Sequence, residues 1–374
     1  MTTPVADRLA IARAAYNDVP LYDPKRTPVT LDLTDNTNLW GVPPHAERAI
    51  REFASATVTR YPTLYGTELK LALASHAGVT PDMVVTGCGS DDILDSAMRA
   101  FGNEGDLVAA SDPTFAMVPI FAKMNVLRST LITELPDHEV DADALLATGA
   151  KLIYVCSPNN PTGALVARKT LENLLDNAPG VLLIDEAYVE FAGVSNVDLL
   201  ARSPRVMLIR TLSKAFGLAG LRIGYALGHP SLVAEVEKSR GPYKVSALAE
   251  QVAVTALRQD VQWVEEHIQL AIENRDKLTI ELLKLGLDPM VSSANFVCVP
   301  VPNCVEVGMA MREKGVGVRP FPNLPRVGDC LRISVGPWPL VAQCVKVLAT
   351  AIKETKTKTK TKTKTTTKPK ATQS

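Results

Sequence analysis

Histidine and paired cysteine are scarce in this 374-residue chain, and both scarcities narrow its chemistry. Five histidines are scattered with no ligand spacing, so no metal site is expected. The cysteines, Cys88, Cys156, Cys298, Cys304, Cys330 and Cys344, include no C-x-x-C pair and mostly have apolar neighbours. They read as buried thiols in a reducing compartment. No apolar run approaches the roughly 20 residues needed to span a bilayer. Residues 1–8 lack the basic-then-apolar pattern of a secretion signal. A cytoplasmic protein with no membrane partner is therefore expected. An excess of one charge sign is also missing, with 40 basic and 40 acidic residues. That balance conceals a division. Residues 353–374 carry eight lysines and one glutamate, mostly in Lys-Thr alternation, leaving 32 basic against 39 acidic residues elsewhere. This tail has almost no apolar surface to offset the entropy of ordering and is expected to be disordered. It reads as a solubilising extension; a weak tether to nucleic acid or another polyanion is the alternative.

The rest is soluble in character, 46% apolar and 21% charged over the whole chain, and long enough for two domains. Short apolar runs at 83–86, 107–110, 152–156, 181–184, 206–209 and 222–227 alternate with helical patterns, which predicts an α/β fold with a mainly parallel sheet. The expected division is an arm and the first part of a small domain at 1–44, a large domain at 45–262, the remainder of the small domain at 263–352, and the tail. A long helical stretch, 246–285, is expected to link the domains.

Three segments carry the chemistry. In TLSKAFGLAGLRIGY, residues 211–225, Lys214 follows an apolar strand, flanked by the hydroxyls of Thr211 and Ser213, with Arg222 further on. A lysine amine at a strand end can form a Schiff base with a carbonyl. Hydroxyls and an arginine beside it can hold a phosphate monoester. Pyridoxal 5′-phosphate (PLP) offers both groups. In VLLIDEAY, residues 181–188, Asp185 ends a buried strand, where open α/β sheets bind ligands. A carboxylate there can keep the pyridine nitrogen protonated. By itself Asp185 could equally cap the next helix. In KLIYVCSPNNPTG, residues 151–163, Asn160 precedes a proline that favours extended backbone, so its amide can point into a cleft; an ordinary Asn-Pro turn is the bland alternative.

Together these segments resemble those of the class I/II, fold-type I aminotransferases, over about 22–352, and within them most resemble the histidinol-phosphate aminotransferases. The resemblance implies a PLP-dependent transferase with a large, mainly parallel sheet domain and a smaller α+β domain. It implies a homodimer in which Tyr61 reaches the cofactor phosphate of the neighbouring subunit. Lys214 carries the cofactor and acts as base, Asp185 faces the ring nitrogen, and Tyr188 and Asn160 contact the phenolate oxygen. Gly89, Ser90 and Asp91 open a helix whose free amides suit the phosphate. Phe115 matches the aromatic residue stacked on the ring, where the family usually has tyrosine; a core residue is the alternative.

At the substrate end, Arg332 matches the arginine for the substrate anion and Arg319 a second one used for histidinol phosphate. Tyr22 and Asn36 are further candidates. The run Asn36-Thr-Asn-Leu39 departs from the family's Asn-Glu-Asn-Pro. The missing glutamate at Thr37 leaves imidazole recognition open. The reaction implied is amine transfer from histidinol phosphate to 2-oxoglutarate. Rivals are an aromatic or general amino-acid aminotransferase, a phosphothreonine decarboxylase and a non-enzymatic PLP-fold regulator.

Overall fold

The apolar strands of the sequence assemble into one large sheet and the polar residues at their ends into one edge of it. The computed structural model describes residues 13–17, 19, 21 and 27–366. Its strands are β1 (Leu31–Asp32), β2 (Val84–Cys88), β3 (Leu107–Asp112), β4 (Arg128–Thr133), β5 (Leu152–Cys156), β6 (Val181–Asp185), β7 (Val206–Thr211), β8 (Ile223–Gly228), β9 (Phe296–Pro300), β10 (Val316–Gly317), β11 (Arg319–Leu324) and β12 (Gly328–Ser334). The large sheet has the order β2-β8-β7-β6-β5-β3-β4. Only β8 runs antiparallel to its neighbours, β2 and β7. The carboxyl ends of β2, β5, β6 and β7 therefore share one edge, the edge at which open α/β sheets take ligands.

Strand period decides which side chains go where. On β5, Ile153 and Val155 join the cluster on one face with Leu182 and Ile184, while Leu152, Tyr154 and Cys156 join the other with Leu183, Met207 and Ile209. Helices cover both faces, which is why these strands are apolar throughout. Each fully buried Leu, Ile or Val contributes about 1.5–3 kcal/mol. A separate cluster holds β9, β12 and the last helix together through residues such as Val297, Leu331 and Cys344. The strands β11-β12-β9 form an antiparallel sheet, and β1 pairs with β10. That last pairing ties the chain near residue 31 to a strand almost 300 residues later.

Two local expectations change. The helical stretch at 246–285 is two helices, Ala247–Gln259 and Val261–Lys284. Buried Asp260 stands between them and accepts from the amides of His45 (3.1 Å) and Ala46 (2.9 Å), so it serves the start of another helix. The tail is not irregular from residue 353: helix Trp338–Thr366 runs on through most of the Lys-Thr alternation. The core-packed first half of that helix has already met the cost of nucleation, and each further residue adds a backbone bond. Thr355 and Thr357 donate to the carbonyls of Ala351 (2.9 Å) and Lys353 (3.0 Å), as helical threonines do. Among the described residues no helix is long and apolar enough to cross a membrane.

Candidate active site

At the shared strand edge lies a cavity of about 730 Å³. Asp185, the last residue of β6, points into it from a nearly solvent-free position. Its Oδ1 accepts from the Ala187 amide (3.0 Å) and its Oδ2 from the Tyr154 hydroxyl (2.7 Å). Burial pushes its pKa up to about 6, against the pull of those two donors. Tyr188 stands beside it with its hydroxyl accepting from Asn36 Nδ2 (3.1 Å), which leaves the phenolic hydrogen free to donate. Burial raises Tyr188 to about 12, so it stays a neutral donor.

Lys214 comes from the loop after β7, and its Nζ donates to the Asp35 carbonyl (2.8 Å). Burial, aided by the Arg332 guanidinium, lowers its pKa to about 8. A buried amine so depressed is far more often neutral at working pH than a surface lysine, and is correspondingly nucleophilic. Asn38 Nδ2 donates to the Ala215 carbonyl (3.1 Å) and so clamps the 35–41 segment against the lysine loop.

Next to the lysine the chain forms a cradle whose groups suit an anion. Helix Ser90–Phe101 starts at the cavity with Gly89 before it, no side chain capping its first amides. Gly89 takes φ +84°, and a Cβ there would meet Arg222 Nη2 at 2.3 Å. A Cβ on Gly224 would meet the Gly89 carbonyl carbon at 2.1 Å and the Ser90 nitrogen at 2.2 Å. Only glycine permits this approach of strand, loop and guanidinium. The hydroxyls of Thr211 and Ser213 are 2.9 Å apart at the same place. The two acids of the helix start divide: Asp91 pairs with Arg222 (3.6 Å), while Asp92 turns to Arg240 (2.7 Å) and the Cys88 amide (2.9 Å). The local charge facing the amides is thus offset by arginine.

The far wall carries Arg319 and Arg332, directly opposite one another in the β11–β12 register. Arg332 is buried, donates to Asn160 Oδ1 (2.5 Å) and to the Thr34 carbonyl (2.5 Å), and lies over Phe296 and Phe321 at 5.3 and 5.4 Å. Its Nε has no partner. A buried guanidinium hydrogen with no acceptor marks a place for an anionic ligand oxygen.

The structure thus brings Lys214, Asp185, Tyr188, Asn160, Ser90, Asp91, Phe115, Thr211, Ser213, Arg222, Arg319 and Arg332 to one cavity, with Gly89 immediately behind it. Asn36 is there too, but its amide group serves Tyr188 and Ser334. Tyr61 is 83% exposed, stacks on Tyr243 at 4.9 Å and lies outside the cavity of its own chain. Tyr22 lies outside the described residues. Tyr154 and the Asp35 carbonyl were not foreseen. A lone hydroxyl inside the apolar run 152–156 was the one available signal for Tyr154.

Comparison with known proteins agrees with this geometry. The family described as aminotransferase class I and II matches residues 28–348. The histidinol-phosphate aminotransferase of Roseiflexus castenholzii is 37% identical over 319 residues, covering 82% of this chain and 85% of that one. The one from Thermoanaerobacter sp. is 33% identical over 320 residues, 84% and 91% of the two chains. Among solved structures, histidinol-phosphate aminotransferase from Sinorhizobium meliloti in complex with pyridoxal-5′-phosphate superposes with a TM-score of 0.83 at 25% identity, covering 93% of this chain and 99% of the other.

Proposed function

The chain belongs to the class I and II aminotransferases, PLP enzymes that act on amino and keto acids, and from that premise we propose that it transfers the amine of L-histidinol phosphate to 2-oxoglutarate, in the cytoplasm, as a homodimer. The observation that carries the substrate is the pair Arg319 and Arg332, facing each other across the strand register with a buried Arg332 Nε unpartnered. Two guanidinium forks suit a phosphate dianion better than a single carboxylate.

The residues fit the cofactor by their own geometry. The glycine-made cradle of Gly89, Ser90 and Arg222, with the Thr211 and Ser213 hydroxyls, would hold its phosphate. When bound, PLP supplies an aldehyde for the amine and a ring that withdraws electrons. Lys214 is the amine that would hold the aldehyde, with loss of water, and as a free amine it would serve as the base for the substrate Cα proton. Its lowered pKa gives it a free lone pair for both tasks. Asp185 would hold the proton on the ring nitrogen, and Phe115, also in the cavity lining, would pack against the ring. Tyr188 would donate its free hydroxyl hydrogen to the ring oxygen. Asn160, its Oδ1 engaged by Arg332, keeps amide hydrogens that would donate to the same oxygen. Tyr61, exposed and outside its own cavity, would be placed to reach the phosphate of the second subunit.

One observation favours a second reading. Thr37 stands where relatives commonly have glutamate, and Phe115, Met117, Phe121 and Phe321 line the cavity, so an aromatic amino acid also fits. Steady-state kinetics separate the two. Histidinol phosphate should give the higher kcat/KM; a clearly higher value for phenylalanine or tyrosine would replace this reading with that of an aromatic aminotransferase.

A further inference from the structure

Tyr154 lies outside the cavity, fully buried in the middle sheet behind Asp185, and its hydroxyl donates to Asp185 Oδ2 at 2.7 Å. Side-chain alternation explains the meeting. Leu152, Tyr154 and Cys156 point to one face of β5, and Asp185 is paired in register with Cys156 on neighbouring β6. The tyrosine therefore reaches the carboxylate diagonally, from below. Phenylalanine would fill the same space among the same apolar neighbours, so packing alone does not account for the hydroxyl.

We propose that Tyr154 is a positioning residue whose hydroxyl keeps Asp185 ionised and so places the shared proton on the cofactor's ring nitrogen. The inference rests on the reading of Asp185 as the ring partner. When a carboxylate and a pyridine nitrogen share one proton in a dry site, two arrangements compete: the ion pair, with the proton on nitrogen, and the neutral pair, with it on the acid. Burial favours the neutral pair. A hydrogen bond donated to the carboxylate favours the ion pair, because it is stronger to the charged form.

The surrounding groups leave that task to few donors. On β5, Cys156 directs its thiol to the Pro158 carbonyl (3.2 Å) and so does not compete as a donor to Asp185. Asp91, from the helix on the same face, and Glu186, the next residue, are negative and oppose ionisation. The Ala187 amide donates to Oδ1, and Tyr154 is the donor to Oδ2. Removing a bond to a charged group shifts such an equilibrium by roughly ten- to hundredfold.

The test is nitrogen-15 NMR of the holoenzyme reconstituted with ring-labelled PLP, for the native protein, Tyr154→Phe and Asp185→Asn, followed through neutral pH. The native signal should sit in the protonated-pyridine range. Tyr154→Phe should move it toward the neutral-pyridine position by the ten- to hundredfold change in proton sharing, with unchanged thermal unfolding, and Asp185→Asn should move it the whole way. If Asp185→Asn moves the signal and Tyr154→Phe does not, the role of Tyr154 is overturned while that of Asp185 stands. If Asp185→Asn also leaves it unmoved, the reading of Asp185 itself fails. Should Tyr154→Phe unfold or lose cofactor, Tyr154→His, which restores a buried donor, must return the signal toward the native position; its failure to do so counts against the proposal.

Discussion

Replacing Arg332 with lysine isolates what the guanidinium fork contributes beyond its charge. Arg332 places one hydrogen on Asn160 Oδ1 and one on the Thr34 carbonyl, both at 2.5 Å, leaving Nε and the second hydrogens of both terminal nitrogens for a ligand. Its guanidinium also lies over the rings of Phe296 and Phe321. Lysine keeps a positive charge but has no planar fork. It can hold one of the existing acceptors or the substrate anion well, not all of them. The loss is about one charge-assisted hydrogen bond, roughly 1.5–3 kcal/mol, together with part of a stacking contribution of roughly 0.5–1 kcal/mol. That sums to about 2–3.5 kcal/mol, or a fall in kcat/KM of about thirty- to four-hundredfold for a phosphate-bearing donor. The assay is the single-turnover half-reaction followed at the cofactor's absorbance, for histidinol phosphate and for histidinol. The native enzyme should prefer the phosphorylated donor, and Arg332→Lys should lose most of the preference while still binding cofactor. A variant that keeps kcat/KM within about threefold of native would refute the reasoning and shift the anion anchor to Arg319.

Three other outcomes follow from the same geometry. Because burial lowers Lys214 to about 8, the rate at which apoenzyme takes up PLP should rise with pH through about 8; a rate still climbing steeply up to about 10.5, the value of an ordinary lysine, would mean that the amine is not desolvated. Asp185 has a folded pKa raised from 3.8 to about 6, so its ionisation opposes folding above that value, by up to about 3 kcal/mol, and the penalty fades as pH falls from about 6 toward 4. Asp185→Asn should therefore stabilise the apoenzyme in chemical denaturation near pH 8 but not near pH 4, while slowing catalysis by orders of magnitude; equal stability of the two proteins near pH 8 would contradict the burial cost. Tyr61→Phe should weaken PLP retention modestly in a dimer of unchanged size, and a fully active monomer in sedimentation would remove the shared site.

Much of the site was legible because its residues sit at the ends of apolar strands. The strand runs ending near Lys214, Asp185 and Asn160 each place one polar residue at a carboxyl edge, and those edges coincide once the strands are parallel. Gly89 was visible as the start of a helix, but the reason for Gly89 and Gly224 is spatial: the two segments touch across β2 and β8. Asp260, which breaks the expected 246–285 helical stretch, and the helix running on to Thr366 both depart from local pattern. The first serves a helix start more than 200 residues earlier, and the second is extended by a helix whose packed half lies upstream.

The sequence by itself determined the α/β order, the family and the chemical types at the cofactor site, since strand period, turn residues and reactive side chains are local properties. Tertiary structure alone decided which of those groups meet, and in what state. Lys214 is an ordinary amine until burial and Arg332 depress it; Asp185 is an ordinary carboxylate until burial raises it and Tyr154 grips it. Arg332 is left with a buried, unpartnered Nε because β11, Asn160 and Thr34, distant in the chain, surround it. Proton affinity and hydrogen-bond satisfaction depend on the dielectric and donors around a group, and those are supplied by neighbours that only the fold brings near.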